Sequence, residues 1–321
     1  PNIIKCSYDA TVKEAAQKMT KSHSASIFLK NRNGKIDGII TDADLMEKAL
    51  AQGGNDGQPA STVASSSIVT IPADAQVFEA FLAMSRLIHG AVLDNQSFSE
   101  RQMITALIAA ILHDVGYIQE ESDTRGTGAK HKADHEQRGM DFLSRHGSKF
   151  GLSAEEIASG RMIILCTDMD TDISTVAFAS PEIELLGKML GAADLMSQLA
   201  EQTYLEKLLF LYYENKEAGV GDYESEVDIL RKAVNFYDVF EARLRTDLSG
   251  VDRFMKLHFE SKWGINQNLY HEAINKHKNY LLTILNIPDA DPRDYLKHGN
   301  IVKKVHQIHR KTPPNVANSH R

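Results

Sequence analysis

The stretch Ala106-Leu-Ile-Ala-Ala-Ile-Leu-His113-Asp114-Val-Gly116-Tyr117 decides how the chain is read. Its first part is an unbroken run of small and branched apolar residues. The run is too short to span a bilayer, so it reads as a helix of a protein core. Two adjacent ionisable side chains close it, which is out of place at a core boundary unless something binds them. An imidazole nitrogen and a carboxylate oxygen are the donor types that hard or borderline divalent cations take. Gly116 is expected to break the helix just beyond, leaving the pair at the mouth of the core.

Composition sets the outer limits. The 321 residues are 42% hydrophobic and 25% charged, enough for two soluble domains. A formal net charge of -7 argues against an obligatory nucleic-acid partner, which would want a basic face. Cys6 and Cys166 are the two cysteines, with no paired spacing, as in a reducing cytoplasm. No membrane segment is evident, and the expected localisation is cytoplasmic. The first residue is Pro1 and not Met, which is expected of a piece of a longer chain.

The His-Asp stretch resembles the HD-domain superfamily of metal-dependent phosphohydrolases, over residues 86–304. The likeness extends to Gly126-Thr-Gly-Ala-Lys130 followed by His135-Glu136, to Leu186-Gly-Lys-Met-Leu-Gly-Ala-Ala-Asp194-Leu-Met, and to Tyr204-Leu-Glu-Lys207-Leu. It implies a divalent ion (Mn, Mg, Fe or Ni, not distinguished) held by His113, Asp114, His135 and Asp194. Asp114 or His135 would then take the proton, and Lys130, with Arg125, would hold substrate phosphate. Beside the resemblance, Asp194 lies in Gly191-Ala-Ala193, where small neighbours admit a close helix; a buried carboxylate there needs a metal or a salt bridge, for which Lys207 and Arg161 are candidates. His131 and His135 lie four apart, the spacing of one helical face.

One departure weakens the likeness. Relatives carry a Tyr-His-Asn-x-x-His motif ahead of Arg86-Leu-Ile-His89-Gly-Ala; ungapped, its histidines fall on Pro72 and Gln76. His89 is a poor substitute, Cys166 stands where many relatives have another His, and no downstream Gly-Tyr-Pro motif follows. The alternative is therefore a signalling or scaffold protein that keeps the fold with a degenerate site.

The N-terminal part holds an internal repeat: Asp9-Ala10-x-Val12-x-Glu14-Ala15-x-x-x-Met19 recurs from Asp74 to Met84. Each copy opens with an extended segment, Ile3-Ile4-Lys5 and Ile68-Val69-Thr70, and continues as an amphipathic helix. The first copy adds Ser26-Ile-Phe-Leu29, a turn at Asn33-Gly34 and Gly38-Ile-Ile-Thr41, which is hairpin chemistry. This resembles the CBS domain (the cystathionine β-synthase module), whose members often sense adenine nucleotides. The resemblance implies AMP, ADP or ATP at Thr41 and Asp44, with Thr41 facing phosphate or ribose and Asp44 the ribose hydroxyls, and a homodimer through this module. As residues alone, Thr41 and Asp44 read equally as a helix cap. The second copy stops short after Met84. Either residues are lacking between Met84 and Val92, or the two domains share one helix from Val77 to Val92.

The expected fold class is α+β: a small CBS-type α/β module at residues 1–85, an all-α HD-type helical domain at 86–300, and a basic tail at 301–321. Helical periodicity marks 103–112, 140–143, 157–165, 183–199, 204–213, 227–244, 254–259 and 269–285. Pro181 and the capping-box-like Ser153-Ala-Glu-Glu156 fix helix starts. The function expected is hydrolysis of a nucleotide or other phosphorylated small molecule, governed by the nucleotide-sensing module, with no membrane partner.

Overall fold

The computed structural model describes residues 4–22, 26–31, 34, 36–41, 44–45, 57–64, 76–120, 122–123, 125–298, 301–303 and 305. The chain divides into two compact units, Pro1–Pro72 and Ala73–Arg321.

In the first unit, β1 (Lys5–Ser7) leads into helix α1 (Val12–Lys21), and β2 (Ser26–Lys30) returns parallel to β1. A parallel return needs a crossover, and α1 supplies it. Strand β3 (Ile36–Thr41) then pairs antiparallel with β2, making a three-stranded sheet in the order β1-β2-β3. The expected hairpin is present, with Gly34 at φ +78° before β3, a backbone conformation that glycine adopts without steric cost. Helix α1 starts with a reciprocal cap: Thr11 Oγ1 accepts from Glu14 N–H, and the Glu14 carboxylate accepts from Thr11 N–H. Its apolar positions Val12, Ala15 and Met19 are buried with Cys6, Ile27, Leu29 and Ile40. The second copy's strand, Ile68 to Thr70, and its opening Asp74-Ala75 lie outside the described residues.

The second unit is helical. Its long helices are α2 (Gln76–Leu93), α3 (Glu100–Leu112), α4 (His135–His146), α5 (Ala154–Leu165), α6 (Pro181–Ala200), α7 (Tyr204–Ala218), α8 (Glu226–Arg245), α9 (Arg253–Trp263) and α10 (Leu269–Leu285). Each stretch of helical periodicity falls inside one of them. Pro181 is the first helical residue of α6, and Ser153 with Glu156 forms the expected capping box at α5.

Helix α2 runs unbroken through Met84 and Val92. All of it belongs to the second unit, so the division falls at Pro72/Ala73 and not at residue 85. The reason is its apolar face: Ala80, Ala83, Met84, Leu87, Ile88 and Ala91 are all buried, packed with α6, α3 and α9. No helix among the described residues is long and apolar enough to cross a membrane. Most of the basic tail lies outside the described residues.

His89 is occupied inside this bundle. Its Nδ1 lies 3.2 Å from Nδ1 of His258 on α9, and the rings meet edge to face at 4.9 Å. Burial, together with the charges of His89, Arg86 and Lys262, holds His258 down at about 4; burial and Lys262 also lower His89. Both rings therefore take up a proton less readily in the folded protein than an unfolded histidine, which protonates near pH ~6.5. The unfolded chain binds more protons below that pH, so stability falls as pH drops from about 6.5 toward about 4. Thermal melts across this range are expected to show the fall, and His258→Gln to flatten it.

Candidate functional site

Helix α3 ends at Leu112, one turn earlier than a break at Gly116 would place it. His113 caps it, and Val115–Tyr117 forms a single 3-10 turn. Gly116 is buried in that turn, where its role is close approach. A Cβ built on it would sit 1.9 Å from the His135 carbonyl oxygen, so only a glycine lets the start of α4 reach the turn. Arg138 fastens the same contact from α4, donating from Nε to the Gly116 carbonyl at 2.7 Å and from Nη2 to the Ile118 carbonyl at 2.9 Å.

These contacts gather four side chains. His113 is 1% exposed. Its Nδ1–H donates to the Ala110 carbonyl at 2.9 Å, which turns Nε2 toward the carboxylates. Nε2 lies 3.3 Å from Asp114 Oδ2 and 3.4 Å from Asp194 Oδ1, buried and with no hydrogen bond. His135 brings Nε2 to 3.8 Å from Asp114 Oδ1. The His135 Nδ1–H is directed at the Lys132 carbonyl, 2.9 Å away, with Glu136 Oε2 at 3.0 Å, and its ring stacks on Tyr117 at 4.3 Å.

The electrostatics follow from this crowding. Burial alone would lower the His113 pKa, but the carboxylates of Asp114 and Asp194 overcome it and push it up to about 10. Burial raises Asp114 as well, with Asp194 and Glu136 adding to the effect and the two histidines opposing it. His135 is depressed by burial and lifted further by Glu136, with a net rise.

Asp194 reaches this point because α6 packs tightly. A Cβ on Gly191, one turn earlier, would come within 2.4 Å of the Cys166 carbonyl oxygen at the end of α5. The salt bridges considered for Asp194 go elsewhere: Lys207 pairs with Glu201 at 2.6 Å, and Arg161 Nε has no hydrogen-bond partner among the described residues. Cys166 is buried, its thiol pushed up to about 12 by burial and directed at the Met162 carbonyl. The following loop is held by Arg243, a buried guanidinium that donates to the carbonyls of Cys166, Asp168 and Met169.

Asp114, His135, Glu136 and Asp194 line one cavity of about 740 Å³. Among the described residues, no group of three or more His, Cys, Asp or Glu side chains is placed so that it could hold a metal ion. The four side chains are thus gathered without being closed around a point. Their spacings of 3.3, 3.4 and 3.8 Å still match donors sharing one ion, which at bond lengths of about 2.0–2.2 Å lie roughly 3–4 Å apart.

Other expected site residues are placed differently. Lys130 is bound to the Asp123 carboxylate and, at 2.5 Å, to the Arg125 carbonyl, and it is not among the residues lining the cavity. His131 belongs to the 3-10 turn Gly128–His131 while His135 opens α4, so the two do not share a helix. His131 faces Asp123 and Asp134, at 3.8 and 3.7 Å. Pro72 and the side chain of Gln76 lie outside the described residues. Lys132, Arg138 and Arg243 escaped the sequence reading; a lysine directly after His131 was the one available signal for Lys132.

In the first unit, Thr41 and Asp44 bond each other. Asp44 Oδ2 accepts from Thr41 N–H at 2.9 Å and from Thr41 Oγ1 at 2.6 Å, and Thr41 Oγ1 accepts from Asp44 N–H at 3.2 Å. This is the reciprocal geometry of a helix cap. Both residues are half-buried.

Residues 1–51 match the CBS domain family. The comparisons with curated proteins and with solved structures give no match.

Gly116→Ala is expected to separate the turn from α4. The variant should lose several degrees of melting temperature through a backbone clash that no side-chain rotation relieves. It should also lose the Tyr117–His135 stack, read from the His135 ring resonances in a proton NMR spectrum.

Proposed function

We propose that the chain is a metal-dependent phosphohydrolase of HD type whose N-terminal CBS-type unit senses an adenine nucleotide. The observation that carries the hydrolase half is His113 Nε2, buried without a hydrogen bond between the carboxylates of Asp114 and Asp194. A ring nitrogen facing two carboxylates calls for a positive charge at that point, a proton or a bound cation, and burial magnifies the need.

In this reading His113, Asp114, Asp194 and His135 hold a divalent ion, which supplies Lewis acidity toward a water and a phosphoryl oxygen. The chain's own residues do the rest. The Ala110 carbonyl fixes the His113 tautomer, and the Lys132 carbonyl fixes that of His135. Asp114 has two oxygens, one toward His113 and the other toward His135, so one could hold the ion while the other takes a proton from water. The apolar wall of the cavity limits competing water.

The full chain incubated with Mn²⁺ is expected to hydrolyse bis(4-nitrophenyl) phosphate or a nucleotide panel, and Asp194→Ala to lower kcat by about 10²–10⁴-fold. Stoichiometric metal uptake without turnover on any of these substrates would instead support the scaffold reading.

The sensing half rests on the match of residues 1–51 to CBS domains, which commonly bind adenine nucleotides, and on a carboxylate and a hydroxyl paired at the end of β3. A ribose would take up Asp44 Oδ2 in place of the Thr41 hydroxyl. Titration of the full chain with AMP, ADP and ATP is expected to show binding that weakens tenfold or more in Asp44→Asn, a variant that keeps a side-chain carbonyl for the cap. Unchanged affinity would leave Asp44 a cap alone.

A further inference from the structure

Lys130 and Lys132 are two residues apart in sequence and differ in what they face. Lys130 is paired with Asp123. Lys132 lines the cavity that holds Asp114, His135 and Asp194, it is half-buried, and its ammonium makes no hydrogen bond or ion pair with any described residue. The cavity's other lysine, Lys232, is engaged by Asp228 at 3.0 Å and lies over the Tyr223 ring. Burial lowers the Lys132 pKa, and the charge of Glu214, which lines the same cavity, opposes that. A half-buried cation without a hydrogen bond or close ion pair carries a desolvation cost that a bound anion would offset.

The rest of the cavity constrains what the anion is attached to. Tyr204, Leu208, Leu211, Ile229, Ala233 and Phe236, from α7 and α8, form an apolar wall. The volume of about 740 Å³ lies in the range, roughly 300–1,000 Å³, that encloses a ligand with a sizeable organic body. Free phosphate would leave that wall bare.

We propose that Lys132 anchors the phosphate of a phosphomonoester whose planar or apolar body lies along the wall built by α7 and α8. This deepens the hydrolase reading by naming the substrate class, and it rests on that reading only for the choice of cavity. It also moves the anion contact from Lys130 to Lys132.

The test is isothermal titration of the full chain with phenyl phosphate and with inorganic phosphate, first in EDTA and then with Mn²⁺. Phenyl phosphate is expected to bind more tightly than inorganic phosphate. Lys132→Met should weaken both by roughly tenfold or more, the size of a lost charge-assisted hydrogen bond, while Lys132→Arg retains most of the affinity. Phe236→Ala should remove the preference for the phenyl ester and leave inorganic phosphate unchanged, and Lys130→Met should change neither. Wild-type affinity in Lys132→Met, a loss carried by Lys130→Met, or no binding of either probe to the wild type in both conditions overturns the proposal. Absence of hydrolysis in a protein that still binds phenyl phosphate through Lys132 removes the hydrolase reading and leaves the anchor standing.

Discussion

The constraint on which the second unit turns is the placing of one ring nitrogen. His113 commits its Nδ1–H to the backbone one turn earlier, so Nε2 has to face outward from α3. It meets carboxylates from its own chain neighbour and from α6. Nothing in the immediate surroundings relieves that meeting except a proton or a cation at the same point. Repulsion between Asp114 and Asp194 falls under the same control, since both look at the same nitrogen. The helices around the site therefore concentrate charge at one buried point, where two carboxylates raise the pKa of the imidazole between them.

Close backbone approach makes the arrangement possible. At Gly116 the turn after α3 touches the first residue of α4, and at Gly191 helix α6 touches the end of α5. Side chains at either position would push apart the elements that carry His113, Asp114, His135 and Asp194. Arg138 and Arg243 then convert proximity into order. Each guanidinium spends its donors on two backbone carbonyls of one turn, the first after His113-Asp114 and the second after α5. Two loops that would otherwise be free to shift are thereby tied to helices.

Much of this was legible in the sequence, for reasons specific to each element. Periodicity gave α5 through α10 because their apolar faces are buried at helical spacing, and Ser153-Ala-Glu-Glu156 gave a boundary because its hydroxyl and carboxylate satisfy amides that a helix end leaves unpaired. The boundary near residue 85 was misplaced because the repeat extends into α2, whose apolar stripe is buried with α6 and α9 and so belongs to the helical unit. Similarity of pattern records the origin of a segment, whereas burial records where it now packs. The meeting of His113 with Asp194 could not be read from spacing at all; it came from family resemblance, and geometry supplied the distances.

The Lys130 and Lys132 pair shows where local reasoning runs out. Seen as a helix, Lys130 to His135 would place alternate residues on predictable faces, and the earlier lysine sat beside the glycine-rich stretch that invites an anion. The chain instead makes a 3-10 turn over Gly128–His131 and restarts as α4 at His135. With that change of pitch the residues between the two elements no longer follow a helical register, so sequence spacing stops predicting direction. Lys130 folds back onto Asp123 and the Arg125 carbonyl, local partners a few residues away. Lys132 has no such partner nearby, and its own carbonyl is already used to hold His135. The backbone of this one residue thus orients a proposed ligand of the ion while its side chain stands in the same cavity. A single local conformation at Lys132 sets both the imidazole and the cation, so the two are placed relative to each other by the fold and not by independent chance.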